Sequence, residues 1–231
     1  RAPEWIEAVG NTAIVLEPFG EAAMDRLALA PGERVLDIGC GTGETTAALA
    51  ARVGPGGAAL GGDIAPDMIA TSRDRHRDSA ARFAVADVQV DDLGGQRFDA
   101  AFSLFGVMCF ADPSAAFTNI HRRLTPGGRL AFACWQERSA KAWMSLPIAA
   151  LIEATGVTPP PPAPGDPGPC SLADRDLVEA LITTAGFVDI EIVDDQRMID
   201  LPESRLEQVV ALSSGVGAVR EAVRRADGDL A

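Results

Sequence analysis

Three acidic residues carry the clearest chemical signal in this sequence. Asp37, Asp63 and Asp87 each stand at the end of a short apolar run. A carboxylate is an acceptor of hydrogen bonds, so a set of three suits a ligand that is rich in hydroxyl and amino groups. Taken singly, Asp63 could cap a strand and Asp87 could stabilise a turn. Their shared position at the ends of three successive predicted strands is what favours a ligand site.

A glycine-rich turn follows the first of these residues. The stretch RVLDIGCGTGETTAALA, residues 34–50, places Gly39, Gly41 and Gly43 between an apolar run and a helical pattern. Turns that bind dinucleotides have the spacing G-x-G-x-x-G and hold the pyrophosphate at the helix N-terminus. Glu44 occupies the place of the third glycine, and its carboxylate would repel a pyrophosphate. The turn therefore favours a ligand of little negative charge that is bound through backbone groups.

The elements around these residues alternate between strand and helix. Alternating strands and helices predict βαβ units, a parallel sheet and ligand binding at the carboxyl ends of the strands. A further strand is expected at 188–199 and an amphipathic helix at 203–226. The other predicted strands are Arg34–Ile38, Ala58–Asp63, Phe83–Ala86, Phe98–Ser103 and Arg129–Trp135, and the other predicted helices are 12–29 (broken or restarted at Pro18), 44–52, 66–78, 114–124 and 171–185.

Further segments extend the pattern of the glycine turn. VLDIGCGTG closely resembles the first motif of the class I S-adenosylmethionine-dependent methyltransferases. The segments LGGDIAPDMI, FAVADV, FDAAFSLFGVMCF, RRLTPGGRLAFACW and LVEALITTAGFVDIEIV resemble later motifs in the family's order and spacing. The resemblance covers residues 30–135 and, more weakly, 171–195, and it is closest to the ubiquinone-biosynthesis-like branch that acts on small molecules.

The resemblance implies a Rossmann-like, doubly wound α/β fold and a bound S-adenosylmethionine. It implies a single domain with a helical N-terminal cap (1–30), a cofactor-binding core (31–135), a lid insertion (136–170) and a C-terminal part of the core (171–231). Asp63 would bind the ribose hydroxyls and Asp87 the adenine amino group, while the glycine turn and Asp37 would hold the methionine end. The implied cofactor-binding residues are Asp37, Gly39, Cys40, Gly41, Asp63, Ile64, Asp87, Val88 and Ser103.

The sequence indicates less about the methyl acceptor than about the cofactor. Methyl transfer from a sulfonium is an in-line displacement, so alignment and exclusion of water are the main demands on the protein. The apolar segment after the fourth strand favours a small, hydrophobic substrate. Neither His76 nor His121 is placed like a general base, and the catalytic base stays unassigned. The candidate substrate residues are Phe19, Phe105, Met108 and Trp135.

Composition narrows the range of partners. The net charge of −13 disfavours nucleic acid and anionic membrane surfaces as partners. The four cysteines show no CxxC spacing, so neither a metal site nor a disulfide framework is expected. No apolar run reaches the length of about 18 residues that a membrane span needs. These features predict a cytoplasmic protein, either a monomer or a homodimer, that acts on a small molecule.

Three other functions remain open at this point. A protein of the same fold could bind S-adenosylmethionine and catalyse a non-methylating reaction such as a cyclisation or a decarboxylation. A nicotinamide oxidoreductase is disfavoured by Glu44 and, for the short-chain reductases, by the absence of tyrosine. The proline-rich run 158–169 could mark an interaction module, although a stiff connector is the simpler interpretation.

The seventh strand that is usual in the family has no clear counterpart after residue 200.

Overall fold

A computed structural model describes residues 16–137 and 166–197, together with isolated positions between 140 and 158. Within this part of the chain, parallel strands form one sheet in the order β3-β2-β1-β4-β5. The strands are β1 (Arg34–Ile38), β2 (Ala58–Asp63), β3 (Arg82–Val85), β4 (Phe98–Leu104) and β5 (Leu124–Ala133). The helices are α1 (16–26), α2 (Glu44–Val53), α3 (Pro66–Arg75), α4 (Pro113–Arg123) and α5 (Arg175–Thr184).

This order confirms the predicted doubly wound α/β fold. The chain moves outward from β1 to β2 and β3, returns to the other side of β1 as β4, and continues to β5. The order therefore reverses between β1 and β4. In open parallel sheets, the crevice at such a reversal, outside the carboxyl ends of the strands, is where ligands bind.

Local sequence explains where the helices begin. Asp112 caps α4 by accepting a hydrogen bond from the Ala115 N–H (3.0 Å), and Pro113 occupies the first helical position. Asp174 caps α5 in the same way through the Asp176 and Leu177 N–H groups. Pro66 begins α3, whose last turn carries Arg73 and Arg75.

Side chains of the central strand β1 point alternately to the two faces of the sheet, and a separate layer of the core lies on each face. Val35 packs in a cluster with Leu49 of α2, Ile69 of α3 and Phe102 of β4. Its neighbour Leu36 faces the opposite side and packs with the residues of α4 and α5. Successive side chains of a strand point to opposite faces of the sheet, so Asp37 lies on the same side as Val35, under α2.

One expectation needs correction. The strand predicted at 188–199 is wrong for residues 188–197, which have no strand conformation and pair with no strand among the described residues. Alternating apolar residues form a strand only where a sheet edge accepts their backbone, and Val188 here is 79% exposed. Pro18 lies in the first described turn of α1, which is helical from residue 16 to 26, and the predicted break or restart there stays a prediction because residues 12–15 lie outside the described residues.

Several predicted segments lie outside the described residues. They are residues 1–15, most of the insertion 136–170 with its proline-rich run, the place of a seventh strand after residue 200, and the predicted helix 203–226. The predicted division into cap, core and lid accordingly stays a prediction. In the described part of the chain, no helix is both long and apolar enough to cross a membrane.

Candidate active site

The glycine turn is a tight backbone loop between β1 and α2. The N–H groups of Gly39 and Cys40 both donate to the Gly62 carbonyl oxygen (2.8 and 3.2 Å), which ties the turn to the end of β2. Gly41 has φ +54° and would place a Cβ in open space, with no atom within 4 Å. The middle of the loop therefore presents backbone, rather than side chain, to the space outside the sheet.

The end of the turn is closely packed. A Cβ on Gly43 would lie 2.8 Å from the Phe83 ring and 2.9 Å from the His76 ring, so only glycine fits there without movement. Glu44 follows, and its carboxylate accepts from the Thr42 hydroxyl and pairs with the Arg75 guanidinium (2.9 Å). The charge of Glu44 is thus partly neutralised, and its repulsion of a pyrophosphate is weaker than the sequence argument supposes.

Asp63 connects the glycine turn to the loop that follows β2. One carboxylate oxygen accepts from the Gly41 N–H and the other from the Ala65 N–H, both at 2.9 Å. A carboxylate offers about four acceptor sites, so each oxygen retains one for a ligand. The two fixed oxygens of this carboxylate can therefore accept hydrogen bonds from two adjacent hydroxyl groups of a ligand. Beside it, Ile64 leaves 68% of its surface exposed, although it is a large apolar residue.

Asp87 lies in a loop that other side chains hold in place. Its Oδ1 accepts from the Gln89 N–H (3.1 Å), and its own N–H donates to the Asp91 carboxylate (2.7 Å). The Asn119 side chain donates to the carbonyl oxygens of Val88 and Asp91 (2.9 and 2.8 Å). The Val88 side chain is buried in the core. Asn119, which sequence reasoning missed, fixes this loop from α4.

Asp37 is buried, with 1% of its surface exposed. The hydroxyls of Thr45 and Thr46, in the first turns of α2, both donate to its Oδ2 at 2.6 Å. Its Oδ1 is buried and has no hydrogen-bond partner among the described residues. Burial and, to a smaller extent, the charge of Asp63 raise the pKa of Asp37 to about 6 against the opposing effect of the threonine hydroxyls.

Cys40 and Ser103 have buried side chains. Burial, with the charges of Asp37 and Asp63, raises the pKa of the Cys40 thiol far above its usual range, so the thiol stays protonated. Ser103 is fully buried, and its hydroxyl donates to the Ile38 carbonyl oxygen (2.8 Å). Ser103 thus braces the ends of β1 and β4 against each other. The Cys40 thiol contacts the Gly41 carbonyl oxygen of the same loop (3.9 Å).

Gly106 is a second residue that sequence reasoning missed. A Cβ at this position would lie 2.6 Å from the Ile38 carbonyl oxygen and 3.0 Å from Gly39 Cα. The loop after β4 therefore approaches the glycine turn backbone to backbone, at the point where the strand order reverses. A glycine directly after an apolar strand, in LFGV, is the signal that could have identified it.

The predicted substrate residues form one aromatic cluster at the carboxyl ends of β4 and β5. Phe105 stacks on Trp135 with ring centroids 4.1 Å apart and an angle of 15° between the planes. Phe19 of α1 meets both rings edge-on, at 6.3 and 5.7 Å. The Met108 sulfur accepts from the Trp135 backbone N–H (3.3 Å), which links this buried residue to the cluster. Phe105 has φ +62°, which is uncommon for a bulky residue and typical of functional sites.

These groups fit the cofactor implied by the sequence resemblance. The remaining acceptor sites of Asp63 match two ribose hydroxyls, and the exposed Ile64 offers an apolar surface for a purine. The orphaned Oδ1 of Asp37 and the open backbone at Gly41 match the zwitterionic methionine end. His76 packs against Phe83 and His121 against Phe187, and among the described residues neither histidine ring contacts the aromatic cluster.

Comparisons with known proteins agree with this geometry. A family model described as a methyltransferase domain matches residues 35–128. A biotin biosynthesis bifunctional protein of Bordetella avium is 38% identical over 135 residues, which are 58% of this chain and 29% of that protein. A ubiquinone/menaquinone biosynthesis C-methyltransferase of Teredinibacter turnerae is 38% identical over 104 residues, 43% of this chain and 42% of that protein.

A solved structure from work on the conversion of a disulfide bond into a thioacetal group during echinomycin biosynthesis is also similar. It is 31% identical with a TM-score of 0.52, covering 70% of this chain and 64% of that one. The chain spans 29% and 42% of the length of the two curated relatives described above. Residues 35–128 therefore form a methyltransferase domain, and the sheet that contains them has the Rossmann-like fold of the class I S-adenosylmethionine-dependent methyltransferases.

Proposed function

We propose that this chain transfers the methyl group of S-adenosylmethionine to a small, apolar metabolite. The observation that carries the proposal is the Asp63 carboxylate, which is fixed by two backbone N–H groups beside the open glycine turn and still has acceptor sites for two hydroxyls. The relative from Teredinibacter turnerae, described as a C-methyltransferase of ubiquinone and menaquinone biosynthesis, supports the apolar class of acceptor.

The residues that would hold the cofactor come from three successive loops. Asp63 would take the ribose hydroxyls, Ile64 would pack on the adenine, and Asp87 would accept from the adenine amino group. The glycine turn and Asp37 would hold the methionine end, with Asp37 providing a buried negative charge near the ammonium. When bound, S-adenosylmethionine supplies an electrophilic methyl group on a sulfonium.

The chain's own contribution is position and exclusion of water. Phe19, Phe105 and Trp135 provide an apolar wall at the ends of β4 and β5, next to the point where Gly106 meets the glycine turn. A reaction between two bound molecules gains several powers of ten in rate from alignment alone. With no general base assigned, the best acceptors should be those whose nucleophilic atom loses its proton readily.

Calorimetry with S-adenosylmethionine and S-adenosylhomocysteine tests the binding part of the proposal. Asp63→Asn keeps the size of the side chain and removes its charge, and we expect it to weaken binding by about 5- to 150-fold, the loss of about 1–3 kcal/mol of charge-assisted hydrogen bonds. Asp67→Asn is the matched control, since Asp67 is an exposed carboxylate in the first turn of α3. Equal binding by wild type and Asp63→Asn, or binding of NADH without binding of S-adenosylmethionine, would overturn the proposal.

Turnover separates methyl transfer from the alternative chemistry. Small apolar acceptors that present oxygen, nitrogen or carbon nucleophiles should each be incubated with the protein and the cofactor. Methyl transfer releases one S-adenosylhomocysteine for each acceptor consumed. Conversion of a substrate without that release would instead indicate the non-methylating reaction of a cofactor-binding protein with this fold.

A further inference from the structure

A cavity of about 250 Å³ lies between the end of α3 and the beginning of β3. None of its residues belongs to the proposed cofactor or substrate site. Its lining is basic, although the whole chain has a net charge of −13. The lining residues are Arg73, His76, Arg77, Ala81, Arg82 and Phe83.

Two of the arginines have no carboxylate partner among the residues that the structure describes. Arg73 donates to the Phe83 carbonyl oxygen (2.7 and 3.3 Å), and Arg82 donates to the Ala80 and Ala81 carbonyl oxygens (3.4 and 3.0 Å). Neither forms an ion pair with any described residue, whereas Arg77 pairs with Asp74. The two guanidinium charges are therefore held in place by neutral carbonyls, and within the described part of the chain no carboxylate pairs with them.

Both guanidinium groups retain donors for a ligand. A guanidinium has five N–H bonds, and the hydrogen bonds of Arg73 and Arg82 use two of them in each case. Three N–H donors remain on each side chain. Arginine pairs of this kind suit the oxygens of a phosphate group, which accept several charge-assisted hydrogen bonds at once.

His76 adds an unsatisfied polar atom. Its Nε2 is buried and has no hydrogen-bond partner in the described part of the chain. The ring packs against Phe83, with centroids 6.0 Å apart, and against the position of Gly43. Two of the residues that line the cavity, His76 and Phe83, therefore also contact the end of the glycine turn at Gly43.

We propose that this cavity binds a phosphate group, either as inorganic phosphate or as a phosphate monoester of a small molecule. Arg73 and Arg82 donate hydrogen bonds to the phosphate oxygens, and binding of the phosphate changes the surroundings of the His76 ring. The strongly negative charge of the chain as a whole argues against an extended polyanion as the ligand, because a long chain of phosphates would run over acidic surface. A single phosphate needs only the local basic surface.

The chain has two histidines, which makes the test direct. Imidazole ¹H–¹³C NMR spectra of the full chain should be recorded while sodium phosphate is added at constant pH, with sodium chloride keeping the ionic strength constant. His121→Gln assigns the two signals. We expect a saturable shift of the His76 signal while the signal of His121, which lies on α4 against Phe187, stays in place.

Variants show whether the arginines carry the effect. Arg82→Gln should weaken phosphate binding by about tenfold or more, since it removes charge-assisted hydrogen bonds. Arg73→Gln should do the same, but Arg73 also holds the Phe83 carbonyl, so its fold is checked by thermal unfolding. Arg122→Gln, an exposed arginine of α4 outside the cavity, is the control and should bind as the wild type does. Addition of glucose 6-phosphate then tells a monoester from free phosphate.

Two results would overturn the inference. One is a shift that does not saturate, or that the two histidines share. The other is equal phosphate affinity in wild type and Arg82→Gln. Neither result bears on the proposed function, because S-adenosylmethionine binding and methyl transfer are measured separately.

Discussion

Asp37→Asn is the substitution that tests most directly how the site is built. The Asp37 carboxylate is buried, accepts from two threonine hydroxyls at Oδ2 and has no partner at Oδ1. An asparagine has nearly the same shape, and its amide oxygen can accept the same two hydrogen bonds. The change therefore removes the charge and leaves the packing.

The size of the effect follows from the pKa. Burial raises the pKa of Asp37 from 3.8 to about 6, and each pKa unit corresponds to about 1.4 kcal/mol. The folded state binds the proton more tightly than the unfolded state. The contribution of Asp37 to the free energy of unfolding is therefore greatest below about pH 4 and falls as the pH rises through 6. Above that pH, the free energy of unfolding is about 3 kcal/mol lower than it is with Asp37 protonated.

Urea unfolding of the cofactor-free protein measures this difference. Wild type and Asp37→Asn should be compared from pH 5 to pH 8, which avoids the isoelectric point near 4.5. The free energy of unfolding of Asp37→Asn minus that of wild type should rise by about 1–2 kcal/mol from pH 5 to pH 8. This rise is roughly half of the full effect of the Asp37 charge on stability. The comparison cancels the groups that the two proteins share.

The same substitution should act in the opposite direction on cofactor binding. The asparagine lacks the negative charge near the methionine ammonium, so S-adenosylmethionine should bind more weakly to Asp37→Asn than to wild type. Asp67→Asn, which removes an exposed carboxylate, is the control for stability. A stability difference between wild type and Asp37→Asn that is constant from pH 5 to pH 8 would refute the reasoning.

Three further predictions concern the supports of the site. Gly106→Ala places a Cβ 2.6 Å from the Ile38 carbonyl oxygen, so thermal unfolding should show a loss of about 1–3 kcal/mol, and an unchanged melting temperature would contradict the close backbone approach. Asn119→Ala frees two loop carbonyls, and calorimetry should show S-adenosylmethionine binding weakened by about 5- to 10-fold; full affinity would mean that the loop is held without it. Trp135→Leu removes the stack on Phe105, and kcat/KM for an apolar acceptor should fall while cofactor affinity stays the same; a fall in cofactor affinity instead would place the cluster in the cofactor site.

Much of the fold could be read from local patterns. The strand Ala58–Asp63 and the starts of α2 and α3 lie where periodicity, Pro66 and the glycine turn place them. These features depend on neighbours within a few residues, and the alternation of strands with helices then leaves few topologies. Local patterns failed for segment 188–197, which was predicted to be a strand. A strand also needs a neighbouring sheet edge to pair with, and the segment's own sequence cannot provide one.

The amino-acid sequence by itself determined the parallel α/β arrangement, the glycine turn and the acidic residues at the ends of β1, β2 and β3. Only the tertiary structure decided what each side chain faces. Asp37 lies under α2 with a raised pKa, Asp63 holds the turn, and Gly106 brings a distant loop against Gly39. Burial, the direction of a side chain and the approach of two backbones depend on residues far apart in the chain, so short-range patterns do not contain them.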